Sequence, residues 1–268
     1  MKKIRELSVR EEQDIYFRIL CFFDRVCEAE NLKYSLAYGT LLGAVREQGF
    51  IDWDDDIDVW MPRKDYNRFN QVFSNYAPEQ YFLQNYETDP RCVSPEMARI
   101  CVHDTYKWPE GCERETFHTG MFFDIFPLDN GFGTGQDQID LEYSLKLHQS
   151  IRRTLRIRRK KTLKSKIYEF STGFLPREKY IQKYVKMIQT HADCESDVYL
   201  VFATSYAGTS RSYFRKEFFD RLIRIPFESF SFPAPEKADD LLRYMYGEDY
   251  LTPIRTKQER TIAYLVKP

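Results

Sequence analysis

Residues 54–58 read DDDID, so four of five consecutive positions carry a carboxylate. Like charges held that close must be solvated, neutralised or paired, which narrows what the surrounding chain can be. If Ile57 to Trp60 is extended, Asp56 and Asp58 leave the same face about 6.6 Å apart. At an effective dielectric near 20, two such carboxylates repel by roughly 2.5 kcal/mol before Asp54 and Asp55 are counted. A bound Mg²⁺ or Mn²⁺ would reverse that sign, and an oxygen-only donor set favours a hard cation over zinc. An acidic cluster alone is usually a solvated loop or a helix cap. Here Ile57, Val59 and Trp60 flank Asp58, and solvated loops rarely alternate aspartate with large apolar residues. The cluster therefore reads as a metal site at the head of a strand.

Upstream, Tyr34 to Tyr38 (YSLAY) reads as a short strand, Gly39-Thr40 as a turn, and Leu41 to Arg46 as the start of a helix. A turn opening a helix presents free backbone N–H groups and a positive helix end, which suit a phosphate. Strand, Gly-Thr turn, helix and a following Asp-x-Asp strand together resemble the nucleotidyltransferase fold of the polymerase-beta type. That resemblance implies an α/β fold with a small mixed sheet. It also implies a turn, at Gly39, Thr40 and Leu41, that holds a nucleotide's phosphates while the aspartates hold metals.

The likeness extends further. The run GTLLGAVREQGFIDWDDDID, then MPRKDYNRF, FFDIFPLD at Phe122 to Asp129, PFESFSFPAP and LLRYMYGEDYL, in this order, resembles the LicD family, relatives of fukutin and fukutin-related protein. The resemblance implies a transferase that moves a phospho-alcohol, typically phosphocholine, from a CDP-linked donor to a sugar of a surface glycan. The acceptor expected is a teichoic acid, a lipopolysaccharide or a lipid-linked precursor of either, with CMP released. CDP-ribitol or CDP-glycerol as donor, and nucleotidyl transfer from a triphosphate, stand as alternatives. A non-catalytic binder is opposed by the intact DDDID. One departure stands out: the family's last block commonly closes with a histidine after YGxY, and here KQERTIAYLVKP has none, which points to an altered acceptor site.

Asp124 interrupts the most apolar strand candidate, MFFDIF at Met121 to Phe126. A carboxylate there is costly to bury unless it is paired or ligating. The fold resemblance needs a third carboxylate, so Asp56, Asp58 and Asp124 form the expected catalytic and metal set, Asp124 also helping to deprotonate the acceptor hydroxyl. Arg46 and Arg99 are candidates to clamp the donor's pyrophosphate, because guanidinium meets phosphate oxygens as a fork. Asp129, after Pro127, reads as a turn or cap, and His118 as a phosphate contact or a loop end. Trp53, Trp60, Trp108, Tyr38 and Tyr106 could supply an aromatic cage for choline's quaternary ammonium.

With 268 residues, 43% of them hydrophobic, the chain can bury a substantial core. A net charge of −1 offers no sign of nucleic-acid binding. MKKIRELSVREEQD turns acidic before any apolar segment develops, and no apolar run nears the ~20 residues of a membrane span. The expectation is a cytoplasmic protein with its six cysteines reduced. Cys101, His103, Cys112 and His118 could ring a zinc, but their spacing fits no standard pattern. Between Lys146 and Lys166 there are eight further Lys or Arg residues and no acid, a face for an anionic polymer or the inner membrane leaflet. The expected organisation is a nucleotidyltransferase core with its N-terminal helix over residues 1–134. A helical cover with returning strands follows over 135–268, packed as one unit with the core.

Overall fold

The computed structural model describes residues 2–92, 94–108, 117–154, 177–192, 194–253 and 261–267. β1 (Lys2–Glu6) leads into α1 (Val9–Ala29). A capping box starts this helix: the Ser8 side chain accepts from the Glu11 N–H at 3.3 Å, and Glu11 accepts from the Ser8 N–H at 2.9 Å. Ile19, Phe22, Phe23 and Val26 are buried as their spacing predicts, and so are Glu12, Gln13 and Tyr16.

β2 (Ser35–Leu36) is two residues long, and α2 (Tyr38–Arg46) begins immediately beyond Ala37. Gly39 and Thr40 thus belong to a helical first turn and not to a turn ahead of it. The corner is made at Tyr38, whose φ of 42° is left-handed. For an aromatic residue that costs on the order of 1–3 kcal/mol, offset by packing of its ring on Trp60 and Phe126 at 4.7 and 5.2 Å between centroids.

β3 (Asp58–Pro62) runs into α3 (Arg63–Tyr76), with Pro62 as its cap residue. β4 (Tyr81–Gln84), β5 (Ala98–Val102) and β6 (Thr105–Tyr106) follow. The stretch from Met97 to Tyr106 carries two strands, broken at Asp104, where φ is 58°. β7 (Phe122–Asn130) continues through Pro127, so Asp129 is a strand residue and not a turn. It is buried and takes a two-point ion pair from Arg63 at 2.6 and 2.7 Å.

α4 (Gly135–Thr154) and α5 (Arg177–Ala192) come next; the expected basic face beyond Thr154 lies outside the described residues. β8 (Val198–Leu200), a pair of 3₁₀ turns, β9 (Tyr213–Arg215) and the hairpin β10 (Leu222–Phe227) and β11 (Phe230–Pro235) complete the return. α6 (Ala238–Tyr246) ends at Gly247, whose φ of 91° suits a glycine cap, and β12 (Tyr264–Lys267) closes the chain.

The main sheet has the order β2-β3-β7-β5-β4, extended by β8 on β7 and β9 on β8. β3 and β7 are parallel and their other partners antiparallel, so the sheet is mixed, as expected, but not small. A second sheet, β1-β12-β6, joins the two chain ends and was not anticipated. One large core takes Phe23, Trp60 and Phe123 from the first half together with Phe214, Phe232 and Leu241 from the second. A smaller one lies beneath α4 and α5. Among the described residues, no helix is long and apolar enough to cross a membrane.

Candidate active site

Three charged side chains stand in register across the middle of the main sheet. Asp58 on β3 is opposite Asp124 on β7, which is opposite Arg99 on β5. Neighbouring strands lie about 4.8 Å apart, so the two carboxylates are held side by side by backbone pairing alone. Arg99 Nε donates to Asp124 Oδ1 at 2.7 Å, and its guanidinium lies 4.2 Å from the ring centre of Phe122. Just before β3, Asp54, Asp55 and Asp56 each offer an oxygen, all within 4.8 Å of one another. Asp54, Asp55 and Asp56 form that close group, and the sheet row lies within its electrostatic reach, since Asp56 and Asp54 act on Asp58, and Asp124 acts on Asp56.

The loop is held from behind. Gln13 on α1 donates to the carbonyls of Ile51 and Asp54 at 3.2 and 3.0 Å. Lys107 is buried, with its amine 3.1 Å from the Asp55 carboxylate, 3.0 Å from Glu12 and 3.1 Å from the Tyr16 hydroxyl; it also donates to the Asp55 carbonyl. Thr40 Oγ1 accepts the backbone N–H of Asp58 at 2.9 Å. Gly39 closes the other side, where a Cβ would fall 2.9 Å from Asp54 Oδ2. A side chain at position 39 would displace that carboxylate.

The electrostatics follow from crowding. Burial, then Asp56 and Asp55, push the Asp54 carboxyl up to about 8. Burial raises Asp56 to about 6, with Lys107 opposing and Asp55 and Asp124 adding. Asp58 is driven well above its ordinary value by burial and then by Asp56, Asp124 and Asp54. Burial also lifts Asp124, although Arg99 and Lys107 pull it down. Lys107 and Arg99 are two cations facing Glu12 and these five aspartates. The deficit of positive charge and the oxygen-only donors fit divalent cations.

The expected phosphate-binding residues divide. Gly39 and Thr40 are at the site, Thr40 with its oxygen on Asp58. The Leu41 side chain is in the core and its N–H is already bonded to the Ala37 carbonyl at 2.9 Å. Arg46 pairs with Glu47 at 2.7 Å, and Arg99 is held by Asp124. Tyr38 and Trp60 are packed in the core, with Trp60 also against Phe214 and Phe219. Tyr106 sits in the second sheet beside Lys3, and Trp108 packs on Phe117. These aromatics form core contacts on separate elements.

Of the zinc candidates, Cys112 lies outside the described residues, and Cys101 is buried with its Sγ 3.8 Å from Gln84 Oε1. His118 Nε2 faces His103 Nδ1 at 3.2 Å while its ring stacks on Phe82. The residues the sequence did not single out are Glu12, Gln13, Tyr16 and Lys107. Their signal was the placement of two polar residues, Glu12 and Gln13, beside an otherwise apolar helix face.

The profile of the family described as "LicD/FKTN/FKRP, nucleotidyltransferase domain" matches residues 31–138, from the end of α1 through the loop, β3 and β7 into α4. An uncharacterized protein of Rickettsia prowazekii is 44% identical over 103 residues, 37% of this chain and 39% of that protein. The lipopolysaccharide cholinephosphotransferase LicD of Haemophilus influenzae is 30% identical over 254 residues, which cover 92% of this chain and 93% of that enzyme. With a likeness that spans both chains nearly end to end, this chain belongs to the LicD family.

Proposed function

We propose that the chain transfers phosphocholine from CDP-choline to a sugar hydroxyl of a lipopolysaccharide-type glycan, or of its lipid-linked precursor, and releases CMP. The observation that carries this reading is the row Asp58, Asp124 and Arg99 beside the Asp54–Asp56 loop. The family relative named as a lipopolysaccharide cholinephosphotransferase supports the transferred group and acceptor class. The core is read as a nucleotidyltransferase fold on the same grounds.

The carboxylates of Asp56, Asp58 and Asp124, with Asp54 and Asp55, would hold Mg²⁺ or Mn²⁺. Bound there, such ions neutralise a diphosphate and make an adjacent hydroxyl easier to deprotonate. Thr40 and Gln13 keep the aspartates at fixed spacing while that charge changes. Asp124, held by Arg99, would take the acceptor's proton. The sugar oxygen bonds to the phosphorus that carries choline, and the bond from that phosphorus to CMP breaks. The half of the chain after residue 135 acts with the first half as one unit, since it brings Thr204 to Tyr38 at the edge of the site.

The test is CMP release from CDP-choline with a purified lipopolysaccharide acceptor, with Mg²⁺ and with EDTA. Turnover is expected only with the metal and should fall at least about 100-fold in Asp58→Asn. Undiminished turnover in EDTA would remove metal dependence. Faster CMP release from CDP-ribitol or CDP-glycerol would change the donor, and pyrophosphate release from a triphosphate would replace the reaction with nucleotidyl transfer.

A further inference from the structure

Among the described residues, a hydrogen-bond cluster joins the second half of the chain to Tyr38, at the start of the helix beside the carboxylate site. The Tyr38 hydroxyl donates to the Arg211 carbonyl at 2.9 Å and lies 3.1 Å from Thr204 Oγ1. Thr204 Oγ1 is 2.8 Å from the same carbonyl, and Ser212 Oγ donates back to the Thr204 carbonyl at 2.7 Å. The backbone at Arg211 is therefore tied to the residue that precedes Gly39, where a Cβ would lie 2.9 Å from Asp54 Oδ2.

The Arg211 side chain is half-buried, with its guanidinium 4.8 Å from the ring centre of Tyr246 at the end of α6. Burial raises the Tyr246 hydroxyl to about 12, Arg211 opposing and Asp58, Asp54 and Asp56 adding. One ring thus lies within electrostatic reach of both the guanidinium and the carboxylates. Arg46 and Arg99 already face Glu47 and Asp124. Arg211 has no carboxylate partner among the described residues. A guanidinium whose face rests on a tyrosine keeps its N–H edge available, and that edge matches two oxygens of one phosphate.

We propose that Arg211, oriented by Tyr246, binds non-bridging oxygens of the diphosphate in the nucleotide donor. This deepens the phosphotransfer reading above and rests on it for the identity of the donor. Arg211 is the contacting residue and Tyr246 a positioning residue.

The experiment is calorimetric binding of inorganic pyrophosphate with Mg²⁺, and of CDP-choline with Mg²⁺, to wild type, Arg211→Gln and Arg211→Lys, with thermal melts of each. Arg211→Gln is expected to weaken both ligands by about 10- to 100-fold at an unchanged melting midpoint, the range for a charge-assisted hydrogen bond. Arg211→Lys should fall between the two, because it keeps the charge and loses the fork. Added salt should narrow the gap between wild type and Arg211→Gln, which a purely structural stacking role would not produce. Pyrophosphate bound equally well by wild type and Arg211→Gln overturns the proposal, whatever CDP-choline does. If Arg211→Gln does not fold, equal affinity in Arg211→Lys and wild type overturns it instead. Arg211-dependent pyrophosphate binding in a protein that ignores CDP-choline leaves the diphosphate site standing and removes the donor proposed above. Wild type that binds neither ligand overturns both.

Discussion

Lys107 and Glu12 form an ion pair at 3.0 Å whose side chains are 6% and 0% exposed. Burial works against the Lys107 charge, yet Tyr16, Glu12 and Asp55 together hold its pKa above the ordinary lysine value. The pair ties α1 to the acidic loop, because the same amine reaches Asp55 at 3.1 Å. Lys107→Met strands the Glu12 carboxylate in the core and should cost about 3–5 kcal/mol. Adding Glu12→Gln should recover more than half of that. Urea midpoints of the two single variants and the double variant check this, and simple additivity would mean that the two charges do not support each other.

A pH dependence follows from Asp54. Its carboxyl is near 8 in the folded chain against an ordinary 3.8. The folded state therefore holds a proton that the unfolded chain has released across that window. The stability this contributes is complete below about pH 4 and is lost as the pH rises through about 8. In EDTA, Asp54→Asn should be more stable than wild type at pH 8 by about 1–3 kcal/mol, with the gap closing near pH 4. Saturating Mg²⁺ should reverse the order at pH 8, since only wild type keeps the full donor set. Denaturant melts at pH 4.5, 6 and 8 measure both effects, and a gap that widens toward acid would contradict the assignment.

Gly39→Ala separates helix stability from metal binding. Alanine favours a helix over glycine by up to about 1 kcal/mol, but its Cβ would lie 2.9 Å from Asp54 Oδ2. The melting midpoint should hold or rise while Mg²⁺ affinity falls about tenfold, the size of effect seen when a ligand's support is disturbed. Calorimetric Mg²⁺ titration is the readout, and wild-type affinity in Gly39→Ala would show that Asp54 can move without consequence.

Thr40 carries the N–H of Asp58 on its hydroxyl at 2.9 Å, and both the hydroxyl and the strand end are sheltered. Thr40→Val keeps the shape and leaves that N–H without its acceptor, at a cost of about 1–3 kcal/mol. Thr40→Ser should keep most of the stability and the Mg²⁺ response. Equal losses in the two variants would point to the methyl group and away from the hydrogen bond.

Much of the site was legible because its signals are local. The spacing of Ser8 and Glu11 is that of a capping box, a signal contained in four residues, and α1 is capped that way. Asp58 and Asp124 stood out because a carboxylate between buried apolar residues needs a partner, and the sheet places them in register. The Asp129 reading failed because a proline at 127 usually ends a strand, whereas here β7 continues and Arg63 supplies the counter-charge. The strand break at Asp104 and the pairing of β1 with β12 depend on contacts between residues far apart in the chain, which no short window contains.

By itself the sequence determined that four aspartates would crowd just after a Gly-Thr turn and that apolar strands would carry Asp58 and Asp124, because side-chain periodicity and turn chemistry act over a few residues. Only the tertiary structure decided which charges answer them. Lys107 and Arg99 are two of 40 Lys and Arg residues, alike in composition until folding puts one behind the Asp55 carboxylate and the other against Asp124. Burial then turns what would be weak, screened charges in water into carboxyl groups held above their ordinary pKa, because the low-dielectric interior magnifies every neighbour.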